Sequence, residues 1–427
     1  MALKFHKDAI CLSGLTGTKL KCNVIGDYYP FWWGITSGGP SRNNRYDTSI
    51  VELNAATGEV YIEDTKETVL GSAGHALELK ANTPNTENLK VILIEEDADC
   101  YDKLKKVMKR RWPSISIEEA EGPASSNSTN VYLLNKNLED ALQEIEDLGL
   151  GNTLYFFDPL RHVEYDTVET VAKQRLILPF KTGTEFFIFL FTSDWFLGRD
   201  DFSPLPRTAD EEDWSNAEKK TVSEADELFG RKKWRNYLLN DNPIGQREKI
   251  LINMYKNRLY RWFRYVLPLP FNPKKEQLFH LILCSNFETG IRATRNFYTK
   301  KTGNPRYSPS NPIAYERFRV EHPEIFTSIY GNNRPREWLI LWKVITQHEE
   351  GRCDRRCTDI IDVEPNQLRR QQILEWLEQK GYLVSLTVKS AYDYQLRQYR
   401  LNWKVVREKL GVDPPSQLRP LSPEDIR

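Results

Sequence analysis

The sequence predicts an α/β fold: an open, mostly parallel sheet with helices on both faces, a helical insertion, and a small separate domain at the C-terminal end. Three observations carry this. Short apolar runs at 49–53, 91–94 and 154–157 each finish on an acid or a tight turn: Glu52 with Asn54-Ala55-Ala56-Thr57-Gly58, Glu95, and Asp158-Pro159. Segments of helical spacing alternate with these runs. Ligands of such sheets sit beyond the carboxyl ends of the strands.

The 427 residues are 40% hydrophobic and 28% charged with zero formal net charge, which fits more than one globular domain and gives no global field favouring nucleic acid. The apolar runs are strand-sized and the first residues carry no signal-peptide pattern, so no membrane partner is expected. Six scattered cysteines do not make a disulfide framework, and a reducing, cytoplasmic location is expected.

In chain order, residues 1–40 are expected to be a helical segment. Tyr28, Tyr29, Phe31, Trp32 and Trp33 fit either a helix packed on its neighbour or a cover over a ligand. The sheet domain should span 41–302. Behind its first strand, 60–62 and 68–70 read as an inserted hairpin, and Ser72 caps a helix over 73–80. Helices are expected at 100–111, 137–148 and 167–175. Strands are expected at 114–117, which leads into the acidic Glu118-Glu119-Ala120-Glu121-Gly122, and at 185–192. Residues 205–265 read as an insertion of two long polar helices, over 211–239 and 245–265. A hairpin at 266–271 and 277–284 and a helix over 288–298 close the domain. Residues 303–335 are a linker by composition. In 336–427, helices at 337–349 and 366–380, a stop at Gly381 and strands at 382–386 and 398–403 have the layout of a winged helix.

A nucleotide-like cofactor on this sheet needs a turn that lets the backbone approach, an acid for the ribose hydroxyls and a contact for the base. Asn54, Ala55 and Gly58 supply the turn, Glu95 the acid, and the patch around Glu121 the base contact. Neither phosphate-binding glycine fingerprint is present, which disfavours dinucleotides and nucleoside triphosphates. S-adenosylmethionine, which has no phosphate, fits better, with Glu52 suited to its ammonium.

These residues resemble the three-Cys-motif partner proteins, whose first motif runs acid, Phe-Ala-Gly-Pro-Gly, insert, Gly-Ser-Pro. Glu52 falls on the acid, Ala55 and Gly58 on the Ala and last Gly, Gly71-Ser72-Ala73 on the Gly-Ser-Pro, Glu95 on the next acid and Asp158-Pro159 on an Asp-Pro-Phe-Gly. Asn54, Ala56 and Leu160-Arg161 depart from the pattern. The resemblance covers roughly residues 15 to 300. It implies a Rossmann-like class I methyltransferase sheet, S-adenosylmethionine as cofactor, and a radical-type iron–sulfur partner. Asp158-Pro159 is also similar to the start of the Asp-Pro-Pro-Tyr motif of nucleobase amino-methyltransferases, with Tyr165 as a substitute aromatic for a flipped base. Asp158, Pro159 and Tyr165 are therefore the candidate acceptor-orienting residues.

Between 228 and 306 basic residues outnumber acids. Arg258, Arg261, Trp262, Arg264, Lys274 and Lys275 are candidate contacts to a phosphate backbone, with stacking from the aromatic. A solvated face with Trp262 and Phe263 turned inward is the other reading. His348, Cys353 and Cys357 lack a fourth zinc ligand and read as a surface loop. The function expected is a methyltransferase acting on nucleic acid. The alternative is a non-catalytic protein of the same fold that presents nucleic acid to the iron–sulfur partner.

Overall fold

In a computed structural model of the chain, the apolar runs pair into one central sheet. The structure describes residues 12–14, 16–38, 47–119, 130–158, 163–176, 183–191, 211–230, 234, 244–271, 279–302, 337, 340, 341, 344, 352, 353, 360, 364, 367–389 and 395–410. The chain divides into two compact units, Met1–Phe297 and Tyr298–Arg427.

The first unit opens with β1 (Leu12–Gly14) and the long helix α1 (Thr16–Thr36). Then come β2 (Thr48–Leu53), the hairpin β3 (Glu59–Ile62) and β4 (Glu67–Leu70), and α2 (Ser72–Asn82). They are followed by β5 (Leu89–Ile94), α3 (Ala98–Arg111), β6 (Glu118–Glu119), β7 (Val131–Leu134), α4 (Leu138–Asp147), β8 (Asn152–Phe157) and α5 (Tyr165–Leu176). Next come β9 (Thr184–Phe191), α6 (Asn216–Phe229), α7 (Ile244–Leu259), the hairpin β10 (Tyr265–Phe271) and β11 (Phe279–Ser285), and α8 (Glu288–Thr302), within which the division at Phe297 falls.

The sheet order is β10-β11-β9-β8-β2-β5-β7-β6. Neighbours from β6 to β9 pair in parallel, and β11 runs antiparallel to both β9 and β10. The chain leaves β2 toward β5 and β7, then returns to β8 on the other side of β2. The crevice outside the ends of β2 and β8 is therefore the topological switch point of a doubly wound α/β sheet. The expected hairpin behind the first strand is present as β3 and β4, and β1 joins it in parallel.

Alternation along the strands sorts the two faces. Val51, Leu53, Ile92, Ile94, Tyr155, Phe157, Phe186 and Ile188 pack with α4, α5, α6 and α7 in one buried core. The opposite face carries Glu52, Phe156, Glu185 and Phe187, and α1 lies over it. The helices of the 205–265 insertion thus belong to the core: α6 contributes Val222, Ala225 and Leu228, and α7 contributes Leu251, Tyr255 and Leu259. They are shorter than expected. Gly230, in the left-handed region at φ 84, follows α6, and α7 ends at Leu259.

One expected strand is corrected. Residues 114–117 form no strand: Ser114 and Ser116 are exposed, and the amide of Ile115 bonds the carbonyl of Trp112 at 3.0 Å. The strand beside β5 is β7, whose four residues are all buried. So short an apolar run, buried on both faces, shows no alternation from which to read it.

In the second unit α9 (Gln367–Gln379) stops at Gly381, where φ is +81 and the amide of Tyr382 returns to the carbonyl of Leu377 at 3.0 Å. An antiparallel hairpin follows, β13 (Leu383–Lys389) with β14 (Gln395–Leu401), and the two-residue β12 (Arg352–Cys353) pairs with β14. Trp403, expected in a strand, begins the helix α10 (Trp403–Leu410). Leu374, Leu377, Tyr382, Tyr399, Leu401 and Val406 form the core of this unit with Ile340, Leu341 and Val344.

Behind β2 two backbones touch. A Cβ on Gly74 would lie 2.2 Å from the carbonyl oxygen of Gly58, whereas one on Gly71 would meet that oxygen at 3.5 Å. Gly74→Ala is expected to cost about 3 kcal/mol and Gly71→Ala about 1 kcal/mol or less, because only the first forces a rigid carbonyl aside. Urea titration of both variants checks the difference.

Candidate functional site

The loop after β2 is the centre of the site. Asn54, Ala56 and Gly58 all have left-handed backbones, with φ 76, 52 and 72. For Asn54 and Ala56 this costs on the order of 1–2 kcal/mol each. Three hydrogen bonds hold the loop there. The amides of Asn54 and Ala55 reach the carbonyl of Ile94 at 3.1 and 2.8 Å, and the amide of Ala56 donates to Glu95 Oε2 at 2.7 Å. Glu95 Oε1 accepts from the amide of Asp97 at 2.9 Å. The second acid thus clamps the first loop to the start of α3, and Asp97 caps that helix by accepting from the amide of Cys100 at 2.8 Å. Each Glu95 oxygen keeps one further acceptor position. Burial raises the Glu95 pKa, and the amides of Asp97 and Ala56 oppose the shift.

Beside β5, where the base contact was expected from Glu121, stands Asn135 at the end of β7. Its Nδ2 donates to the carbonyl of Glu95 at 2.8 Å, and its side chain is exposed. Glu121, Pro159, Lys274 and Lys275 lie outside the described residues.

Three acids lie on the sheet face that α1 covers. Glu52 is fully buried; its Oε1 accepts from the phenol of Tyr29, and its Oε2 has no hydrogen-bond partner. Ser72 at the start of α2 lies close enough to favour the ionised form without completing a bond to Oε2. Burial pushes the Glu52 pKa up to about 8, opposed by Tyr29, Ser72 and Lys21, while Asp158 adds to the rise. Asp158, at the end of β8, receives Lys21 Nζ on both oxygens, at 2.8 and 2.7 Å. Glu185, near the start of β9, accepts from Tyr28 and Ser285, and burial pushes its pKa up to about 7. Lys21, Tyr28 and Tyr29 all come from α1. Lys21 was missed in the sequence although it sits on the stripe Lys21-Ile25-Tyr28-Trp32, a helical spacing that marks a charged residue facing inward.

Two expectations are corrected here. Tyr165 is fully buried on α5: its hydroxyl bonds the carbonyl of Arg258 at 3.0 Å, and the Arg258 guanidinium lies 3.4 Å from its ring centroid. It faces neither the loop nor an open acceptor site. Trp262 is not a stacking platform. The amides of Trp262 and Phe263 turn back onto the carbonyl of Leu259, each at 3.0 Å, and carry both rings into the core. Arg258 is committed to Tyr165 and to the carbonyl of Glu227, while Arg261 and Arg264 remain exposed. Among the described residues no group of three or more His, Cys, Asp or Glu side chains is placed to hold a metal. Of the possible zinc ligands, Cys353 lies on β12, and His348 and Cys357 are outside the described residues. No described helix is long and apolar enough to cross a membrane.

No family model matches the chain, and no curated protein matches it. Among solved structures it matches the plantazolicin methyltransferase BamL, in a complex with a triazolic desmethylPZN analog and SAH, at 10% identity and a TM-score of 0.27; the match covers 64% of this chain and 89% of that one. This similarity is too slight to bear on the site.

The raised acids give the fold a pH dependence of definite sign. A carboxyl whose folded pKa exceeds its unfolded value stabilises fully below the unfolded pKa, and that stability is lost as pH rises through the folded one. For Glu52 the window runs from 4.5 to about 8. Glu52→Gln is expected to flatten the decline in unfolding free energy across that window by a few kcal/mol, on the order expected from linkage. The residual slope should belong to Glu185 and Glu95, and urea titrations at half-unit pH steps measure it.

Proposed function

We propose that the chain is an S-adenosylmethionine-dependent methyltransferase whose cofactor lies over the loop Asn54–Gly58 at the switch point of the sheet. The observation that carries this reading is the clamp from Glu95 to Ala56, which brings a left-handed loop and an acid together at the ends of adjacent parallel strands. The residues fit the group. The unpartnered Glu52 Oε2 suits a cation, the remaining acceptor positions of Glu95 suit ribose hydroxyls, and Asn135 supplies a polar contact at the base end. The cofactor, when bound, supplies a methyl group already activated on a sulfonium. The task left to the protein is to position the acceptor and exclude water. Asp158 is the acid at hand for the acceptor.

The finer reading takes the chain as a member of the three-Cys-motif partner proteins, working with a radical-type iron–sulfur protein on nucleic acid. The residue match in the first motif supports it, as do the exposed Arg261 and Arg264 and the helix–hairpin order of the second unit, which suits a winged helix. A non-catalytic scaffold of the same fold is favoured by one observation: Asp158 is already held by Lys21 on both oxygens.

Titration calorimetry tests the cofactor. Wild type is expected to bind S-adenosylmethionine or S-adenosylhomocysteine, and Glu95→Ala to weaken binding at least about tenfold, the loss of one hydrogen bond to a charged group. Silence with both ligands would leave the scaffold. For nucleic acid, the double variant Arg261→Ala/Arg264→Ala should reduce the slope of log K against log salt by about 2 and leave the unfolding midpoint unchanged.

A further inference from the structure

Lys21 occupies a site with a definite chemistry. Its ammonium reaches Asp158 Oδ1 at 2.8 Å and Oδ2 at 2.7 Å. It also lies 4.4 Å from the Phe189 ring centroid and 6.0 Å from that of Phe156. The lysine side chain is 8% exposed and the Asp158 side chain 21%. A carboxylate with both oxygens turned to one nitrogen, walled by two aromatic faces, is a receptor for a primary ammonium. It sits at the end of β8 beside the switch point, where an open α/β sheet takes its ligands. A second, independent observation marks the place as short of donors. Glu52, on the neighbouring strand and the same face, keeps a fully buried oxygen without a partner, and it feels the charges of both Asp158 and Lys21. Lys21 is bonded to Asp158 alone, and Glu52 feels its charge without a bond to it.

We propose that Asp158, Phe156 and Phe189 form a primary-ammonium site in which Lys21 of α1 stands where the amine of a second molecule is held. This deepens the methyltransferase reading, on which it rests only for the ligand's role as acceptor: it makes the acceptor an amine, whose ammonium would give one proton to Asp158 and whose freed lone pair would take the methyl group as the sulfonium leaves as a thioether. Lys21 is then a tethered competitor. A tethered group of this kind acts at an effective concentration in the millimolar range. Free amines should therefore bind weakly to wild type and readily once the lysine is cut back.

The experiment is a thermal-unfolding titration of the full chain with ethylammonium chloride, at fixed ionic strength and without S-adenosylmethionine. Lys21→Ala leaves Asp158 beside Glu52 without its cation, and the midpoint should fall by roughly 5–10 °C. Ethylammonium should restore much of that loss in a saturable way. It should leave wild type unmoved up to about 10 mM, the tethered lysine's own effective concentration. Tetramethylammonium, which has no N–H to give, should not restore it. An equal rise in Lys21→Ala/Asp158→Asn, an equal rise with tetramethylammonium, or no rise in Lys21→Ala overturns the proposal. Should Lys21→Ala not fold alone, refolding it in ethylammonium chloride against sodium chloride decides. Recovery with ethylammonium alone supports the site, and equal yields overturn it. Because no methyl donor is present, failure here leaves the cofactor reading standing, and failure of cofactor binding leaves this result standing.

Discussion

Burying a carboxylate costs several kcal/mol unless it is paired, hydrogen-bonded or protonated. The sheet face under α1 carries three such groups: Glu52, Asp158 and Glu185. One helix answers all of them, with Tyr29, Lys21 and Tyr28. α1 is therefore held by directional contacts as well as by apolar packing, and its register on the sheet is specified. The solutions differ in kind. Asp158 has a full cation, whereas Glu52 and Glu185 have phenol donors, with Ser285 added for Glu185, and meet the remaining penalty by raised pKa values. Gly290 of α8 leaves room for the Glu185 pair: a Cβ there would lie 2.7 Å from the Tyr28 oxygen.

The same economy shapes the loop after β2. Where a glycine-rich turn would adopt left-handed backbones without strain, Asn54 and Ala56 adopt them with side chains attached, and Glu95 holds Ala56 in place by an ionic hydrogen bond. Strain at one acid's loop is offset by a bond from the next strand's acid. That ties the geometry of two strand ends together at the switch point. Gly58 has a left-handed backbone and a Cβ there would meet Leu104 Cδ1 at 2.9 Å, whereas Gly74 is held to glycine by its contact with the Gly58 carbonyl.

Much of the fold was legible because its strands are apolar runs bounded by turn residues: β2, β5, β8, β9 and the β10–β11 hairpin fall where the pattern puts them. Of the site, the loop Asn54–Gly58 and Glu95 could be read as neighbours in space, since parallel strands bring their ends together. What failed was side-chain direction. Trp262 and Arg258 sit in a stretch where bases and aromatics alternate, and that pattern fits a nucleic-acid surface and a core margin equally well. The turn after Leu259 decided for the core.

The sequence by itself determined the doubly wound order of strands and helices, the acid-ended strands, and the turn chemistry at Asn54–Gly58 and Gly381. These are local properties, set by periodicity and backbone preference within a few residues. Only the tertiary structure decided that β7 lies beside β5, that Asn135 bonds the carbonyl of Glu95, and that Lys21 closes on Asp158. Each depends on groups far apart in the chain, and burial forces polar atoms to find one another across that distance.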